Sequence, residues 1–269
     1  MSRVPLLPER PRPLIFAHRG CSSLAPENTM AAFRKARETG AGGIELDVHA
    51  AADGSLIVAH DDTFKRTAPA GNNGGGRPLE ELTYGEIKRI DVGSFFAPAF
   101  SAERPPLLEE ALEEFCPALY IDIELKSRKI KNDPLPDLLA KKLKVLGPRI
   151  ACALTVSSFN PFCLAAFKKS WGRERGALPP VASAVFYCAG AEVQFLFRHG
   201  AGSFIAACDY LKPRHDQAHA WRRALAALEG RPLVPWTVDD PALARRLLDR
   251  PCAGIITNRP QDIVPAVNA

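Results

Sequence analysis

The chain has 269 residues, 46% hydrophobic and 24% charged, the composition of an ordinary globular protein with enough length for one large domain. Its net charge of +5 comes from 35 basic against 30 acidic residues, set in short clusters such as Arg222-Arg223, and the absence of a basic stripe interleaved with aromatics argues against nucleic acid as a partner. No apolar run approaches the roughly 18 residues of a membrane span, and residues 1–13 hold no signal-like segment, so a cytoplasmic protein without a stable membrane anchor is expected.

In chain order, short β-branched or apolar runs alternate with longer amphipathic segments, the pattern of a parallel α/β sheet. Strands are predicted at Leu14–His18, Gly43–His49, Leu56–His60, Leu119–Leu125, Ala151–Val156, Val181–Phe186, Phe204–Cys208, Leu233–Thr237 and Gly254–Thr257. Helical patterns lie near 27–39, 107–115, 134–146, 160–170, 190–198, 216–228 and 240–249. Asn160-Pro161 and Asp240-Pro241 are suitable helix starts, because proline is accepted in the first turn. The linker between the second and third strands is too short for a parallel crossover. Asp53-Gly54 instead signals a hairpin; a turn centred on that pair sets Asp47 opposite His60. Residues 61–106 break the rhythm and read as a small insertion or lid. Seven cysteines, an odd number without a CxxC, fit free thiols better than disulfides or a zinc site.

The chemistry begins at Ile44-Glu45-Leu46-Asp47. Residues two apart on a strand face the same side, and two buried carboxylates repel unless a cation lies between them. Hard oxygen ligands suit one divalent cation, Mg2+ or Ca2+. Tyr120–Lys126 repeats the pattern: Glu124 and Lys126 near the strand's C-terminal end supply a third carboxylate and a cation, whereas Asp122, deeper, reads as structural. A lysine beside a metal is favourable when an anion sits between them, and a phosphodiester is such an anion. His18 and His60 each end an apolar strand, and two imidazoles can divide base and acid duty at neutral pH. Arg19 offers a planar fork for a phosphate oxygen. His49, His199, His215 and His219 keep a structural reading.

Taken in order, His18-Arg19-Gly20, Pro26-Glu27-Asn28-Thr29, Glu45-Leu46-Asp47-Val48, His60-Asp61-Asp62-Thr63, Glu124-Leu125-Lys126, Ser157-Ser158-Phe159, Trp236-Thr237-Val238-Asp239 and Gly254–Thr257 resemble the glycerophosphodiester phosphodiesterase family. The resemblance implies one (β/α)8 TIM-type barrel over residues 1–269, with an antiparallel hairpin excursion after the second strand and an insertion at about 61–106. It implies a metal held by Glu45, Asp47 and Glu124, and His18 and His60 as the acid–base pair. Arg19 and Lys126 would contact phosphate, and Glu27 would help order the site. Trp236 reads as an aromatic wall beside the substrate or as a core tryptophan. Asn258 departs from the aspartate common in the family. The implied reaction is hydrolysis of a small-molecule glycerophosphodiester to glycerol 3-phosphate and an alcohol. Two histidines without a serine or cysteine nucleophile paired to a base favour the glycerol 2-hydroxyl as the attacking group over direct attack by water. The alternatives are a lipid-cleaving relative, for which Phe95, Phe96 and Phe100 would form an apolar rim, and a barrel that only binds phosphoesters.

Overall fold

Eight strands carry the fold in the computed structural model of the chain, which describes residues 14–69, 75–116, 118–151, 154–190, 195–249 and 252–268. They are β1 (Leu14–His18), β2 (Gly43–Ala50), β3 (Leu56–Val58), β4 (Tyr120–Leu125), β5 (Leu154–Ser158), β6 (Ala182–Tyr187), β7 (Tyr210–Pro213) and β8 (Gly254–Thr257). The helices are α1 (Met30–Glu38), α2 (Tyr84–Ile87), α3 (Leu108–Phe115), α4 (Leu135–Leu146), α5 (Pro148–Ala151), α6 (Pro161–Glu174), α7 (Gly202–Ile205), α8 (Ala220–Leu228), α9 (Pro241–Leu248) and α10 (Pro260–Asn268). Local chemistry sets their starts. Asn160 accepts from the backbone of Phe162 and Cys163 ahead of Pro161, and Asp240 accepts from Leu243 ahead of Pro241, which satisfies donors that a helix otherwise leaves unpaired.

Seven of the strands run parallel in the order β7-β6-β5-β4-β2-β1-β8. The segment 233–236 fills the remaining place. Val234 N donates to Leu211 O on β7, and Ala253 N donates to Leu233 O on the β8 side. Pro232 and Pro235 lack the donors for a continuous ladder, so the predicted strand Leu233–Thr237 appears only as isolated bridges. The curled sheet with its outer helices is the TIM-type barrel. Its main core lies between sheet and helices, from Leu14, Phe33 and Ile44 through Phe115 and Val156 to Phe167 and Leu211. Among the described residues, no helix is long and apolar enough to cross a membrane, and no disulfide joins the six described cysteines to one another.

The predicted strand Phe204–Cys208 is wrong. Gly202–Ile205 is helical, and the strand is Tyr210–Pro213; its Lys212 and Pro213 disguise it, because Lys212 is buried against Asp122 inside the barrel. The 190–198 helix is reduced, where described, to a short 3-10 turn at Phe195–Phe197; residues 191–194 lie outside the described residues, as do 152 and 153 of the predicted Ala151–Val156 strand. α10 was not anticipated.

β3 pairs antiparallel with β2, but one residue out of the expected register. Val48 pairs with Val58 and Ala50 with Leu56, so Asp47 faces Ala59, whose N–H donates to Asp47 O. The turn holds three residues rather than two: Gly54 N donates to Ala51 O, Ala51 N to Ser55 O, and Gly54 stands at φ 81°. This is a type I turn closed by a left-handed glycine. Beyond the hairpin, residues 61–106 build a second apolar cluster from Phe64, Leu79, Leu82, Ile87 and Ile90 against Ile57.

Candidate active site

Strand register assembles the acidic centre. His18 pairs with Glu45 across β1 and β2, and Asp47 pairs with Glu124 across β2 and β4. Glu45, Asp47 and Glu124 are all buried, with ligand-capable oxygens within 4.8 Å of one another. Glu45 Oε1 and Asp47 Oδ1 are buried without a hydrogen-bond partner. Burial, and then Asp47 and Glu124, pushes the Glu45 carboxyl well above the usual range. Burial likewise pushes Glu124 up to about 7, against the pull of Lys126. Asp47 is buried too, yet Lys126 and Arg19 outweigh that and hold it well below the usual carboxylate range. Three hard carboxylates, two with an oxygen that accepts no hydrogen bond, are a donor set that suits a magnesium or calcium ion.

Cations rim this centre. Lys126 Nζ lies 2.9 Å from Glu124 Oε1 and 3.5 Å from Asp47 Oδ1. The Arg19 amide donates to Glu45 Oε2 at 3.1 Å, and its guanidinium sits 3.3 Å from Asp47 and 2.9 Å from Glu27. This placement depends on a sharp turn after β1. Arg19 itself stands at φ 54° and Gly20 at φ 81°, and a Cβ on Gly20 would meet the backbone of Ala32 at 2.7 Å. Glu27 is shared between Arg19 and Arg66, which donates to it at 2.7 and 2.8 Å.

The two histidines flank the acids with unlike partners. His18 Nδ1 is 2.6 Å from Asn258 Oδ1, while Asn258 Nδ2 donates to Asp239 at 2.7 Å. Because the Asp239 carboxylate only accepts, the Asn258 amide is fixed and His18 Nδ1 must carry the proton. His18 Nε2 is thereby left as an acceptor, 3.9 Å from Glu45. Burial, then Arg19, lowers His18 to about 4. His60 Nδ1 instead meets the Asp61 carboxylate at 2.6 Å, and Arg66 holds the other Asp61 oxygen at 2.7 Å. Burial lowers His60 as well, with Asp47 and Asp61 opposing.

All nine residues singled out from the sequence border this region or its walls. Trp236 is half-buried in the cleft wall; its indole N–H donates to Lys212 O at 2.8 Å, and its ring meets Phe159 and Phe186 edge-on. Asp122 lies deeper, paired with Lys212 and accepting from Ser157. Sequence reasoning missed Asn28, Asp61 and Asp239. Asn28 stands at φ 55°, donates to Asp47 Oδ2 at 2.8 Å and accepts from the Asp47 amide. Their signal was present, since each sits inside a motif already quoted, but it names no chemistry by itself. The expected rim of Phe95, Phe96 and Phe100 is not at the site. Those rings pack on one another, and the cleft of about 1550 Å³ is lined instead by Phe159, Phe162, Phe186, Phe197 and Trp236.

A family model for the glycerophosphoryl diester phosphodiesterase family matches residues 18–262. The chain is similar to the glycerophosphodiester phosphodiesterase of Caldanaerobacter subterraneus, 32% identical over 255 residues, covering 94% of this chain and 97% of the relative. In structure it is similar to an Oleispira antarctica phosphodiesterase solved with the product sn-glycerol-3-phosphate, at 26% identity and TM-score 0.77 over 96% of this chain and 97% of that one. It is also similar to the Agrobacterium tumefaciens glycerophosphodiester phosphodiesterase, at 25% identity and TM-score 0.75, covering 94% and 99%. With the family model spanning nearly the whole barrel, the chain belongs to the glycerophosphoryl diester phosphodiesterase family, enzymes that hydrolyse glycerophosphodiesters.

Proposed function

We propose that the chain hydrolyses glycerophosphodiesters to glycerol 3-phosphate and an alcohol, with His18 as base, His60 as acid, and a single divalent cation, magnesium or calcium, held by Glu45, Asp47 and Glu124. The observation that carries this is the buried carboxylate trio, two of its oxygens without a hydrogen bond, set between two histidines whose Nδ1 atoms are already engaged. The cation, when bound, supplies positive charge for a phosphate oxygen and for the attacking hydroxyl. Arg19 and Lys126 share the remaining phosphate charge, and Glu27 keeps Arg19 from swinging out. His18, held neutral with Nε2 free, takes the proton of the nucleophile. His60, beside Asp61, carries the proton delivered to the leaving alkoxide; a bound phosphodiester anion favours its protonated form.

The nucleophile in this reading is the glycerol 2-hydroxyl, which is intramolecular; good orientation is worth roughly 7–11 kcal/mol of barrier. The cyclic phosphate it forms is opened by water, with the two histidines exchanging roles. Trp236 walls the cleft beside the substrate.

A second reading, a monoacylated substrate, is favoured by the aromatic lining that runs outward from Trp236 and Phe159 to Phe162 and Phe197, whose rings meet at 6.1 Å. One panel separates the readings: glycerophosphocholine, its analogue lacking the 2-hydroxyl, and lysophosphatidylcholine, each with magnesium, calcium or EDTA. Hydrolysis of glycerophosphocholine that stops in EDTA is expected. Full activity after exhaustive chelation overturns the metal assignment, and parent-like hydrolysis of the deoxy analogue overturns the cyclic route.

A further inference from the structure

Away from the acids and histidines, residues 195–205 and α8 lie side by side on the flank of the barrel. Arg222 donates to His199 O at one end and Arg231 to Ser203 Oγ, 2.9 Å away, at the other. The face they form is apolar on the outside. α8 turns Arg223 and Ala226 into the protein, while Trp221, Leu225 and Leu228, spaced i, i+4 and i+7, share the opposite side. Trp221 is 66% and Leu228 87% exposed, and Phe195 (77%) and Phe204 (68%) are exposed on the neighbouring segment. Exposed apolar side chains gathered on two adjoining segments mark an interaction surface.

Its charge selects the occupant. Arg198 lies 5.8 Å from the Phe195 ring centre and Arg231 4.6 Å from that of Phe204, and Arg222 follows Trp221 directly. Within residues 195–205 and 220–231, Glu229 is the single acidic residue. A second copy docked on this face by a two-fold axis would bring its arginines against their own counterparts. A surface of lipid phosphates complements them, and rings and leucines interleaved with arginines are the make-up of a segment that lies in a membrane interface. We propose that this face docks reversibly on an anionic lipid bilayer, with Trp221, Leu225 and Leu228 entering the headgroup boundary and the arginines meeting lipid phosphates. Phe197, on the same segment as Phe195, lines the cleft, so docking sets the cleft mouth beside the bilayer. The proposal stands whether or not the assigned reaction does.

The test is co-sedimentation of the full chain with vesicles of equal phosphatidylcholine and phosphatidylglycerol, and with phosphatidylcholine alone. Binding to the anionic vesicles that weakens at high salt is expected. The double variant Trp221→Ser/Leu225→Ser should lower it on the order of tenfold or more, with circular dichroism and hydrolysis of soluble glycerophosphocholine unchanged. Val145→Ser, an exposed apolar position on α4 (83% exposed), should bind like the parent. Absent binding to anionic vesicles, or equal binding by the double variant, overturns the proposal. So does a dimer in sedimentation velocity that the double variant dissociates, which gives the face to a second copy.

Discussion

The Nδ1 atoms of the two histidines meet chemically different acceptors: the neutral amide oxygen of Asn258 in one case, the carboxylate of Asp61 in the other. That difference is what supports the proposed roles of His18 as base and His60 as acid, and the proposal predicts how their alanine variants respond to the leaving group. Each loss should cost about 10²–10⁴-fold with glycerophosphocholine, the usual reach of general acid–base catalysis. With a nitrophenyl ester of glycerol phosphate, whose leaving group departs without a proton, His60→Ala should recover most of its rate and His18→Ala should not. Rescue of His18→Ala instead would reverse the assignment. The sequence already named the acids and both histidines, because spacing on strands fixes which side chains share a face. It did not show Asn258, Asp239 or Asp61 as a layer behind the histidines. The His18–Asn258 bond joins strands from opposite ends of the chain, and the His60–Asp61 bond, between neighbours in sequence, rests on a side-chain conformation that strand periodicity does not specify.

At the scale of elements, most of the barrel was legible because β-branched runs and proline-marked helix starts act locally. β7 was not, since a buried Lys212 is tolerated only through Asp122 on a distant strand, and the hairpin register turned on one extra loop residue. Two glycines test how far such turns matter. Gly54 stands at φ 81°, but a Cβ there meets only Leu138 at 3.5 Å. Gly54→Ala should therefore cost about 1–2 kcal/mol of backbone strain, with kcat nearly unchanged. Gly20 has the same φ, and its Cβ would also strike the backbone of Ala32 at 2.7 Å. Gly20→Ala should destabilise by more than Gly54→Ala in denaturant melts and, by moving Arg19, reduce kcat/KM as well. Equal losses in both variants would show that the turn after β1 is no more constrained than the hairpin.

For the whole molecule, three buried carboxylates at one point link stability to both pH and cation. The folded-state pKa values of Glu45 and Glu124 lie above their ordinary 4.5, Glu124 at about 7. A carboxyl raised on folding contributes stability that is complete below about 4.5 and is lost as pH rises through its folded value. His18, His49 and His60, lowered by burial from 6.5, act in the opposite sense, with stability lost as pH falls below about 6.5. Between about pH 6.5 and 8 the carboxyls therefore set the slope, and chelated protein should melt at progressively lower temperature as pH rises. Magnesium or calcium, by favouring the ionised trio, should flatten that slope. At about one hundred times its dissociation constant a ligand adds about 2.7 kcal/mol, which for a chain of this size raises Tm by on the order of 5–10 °C. Glu45→Gln removes one charge of the trio while keeping an acceptor for the Arg19 amide. It should remain folded, show a shallower pH slope in EDTA, and lose most of the cation-induced rise. Identical melting of the parent with cation and with EDTA across this range would remove the metal from the site, and with it the physical reason for burying three acids together.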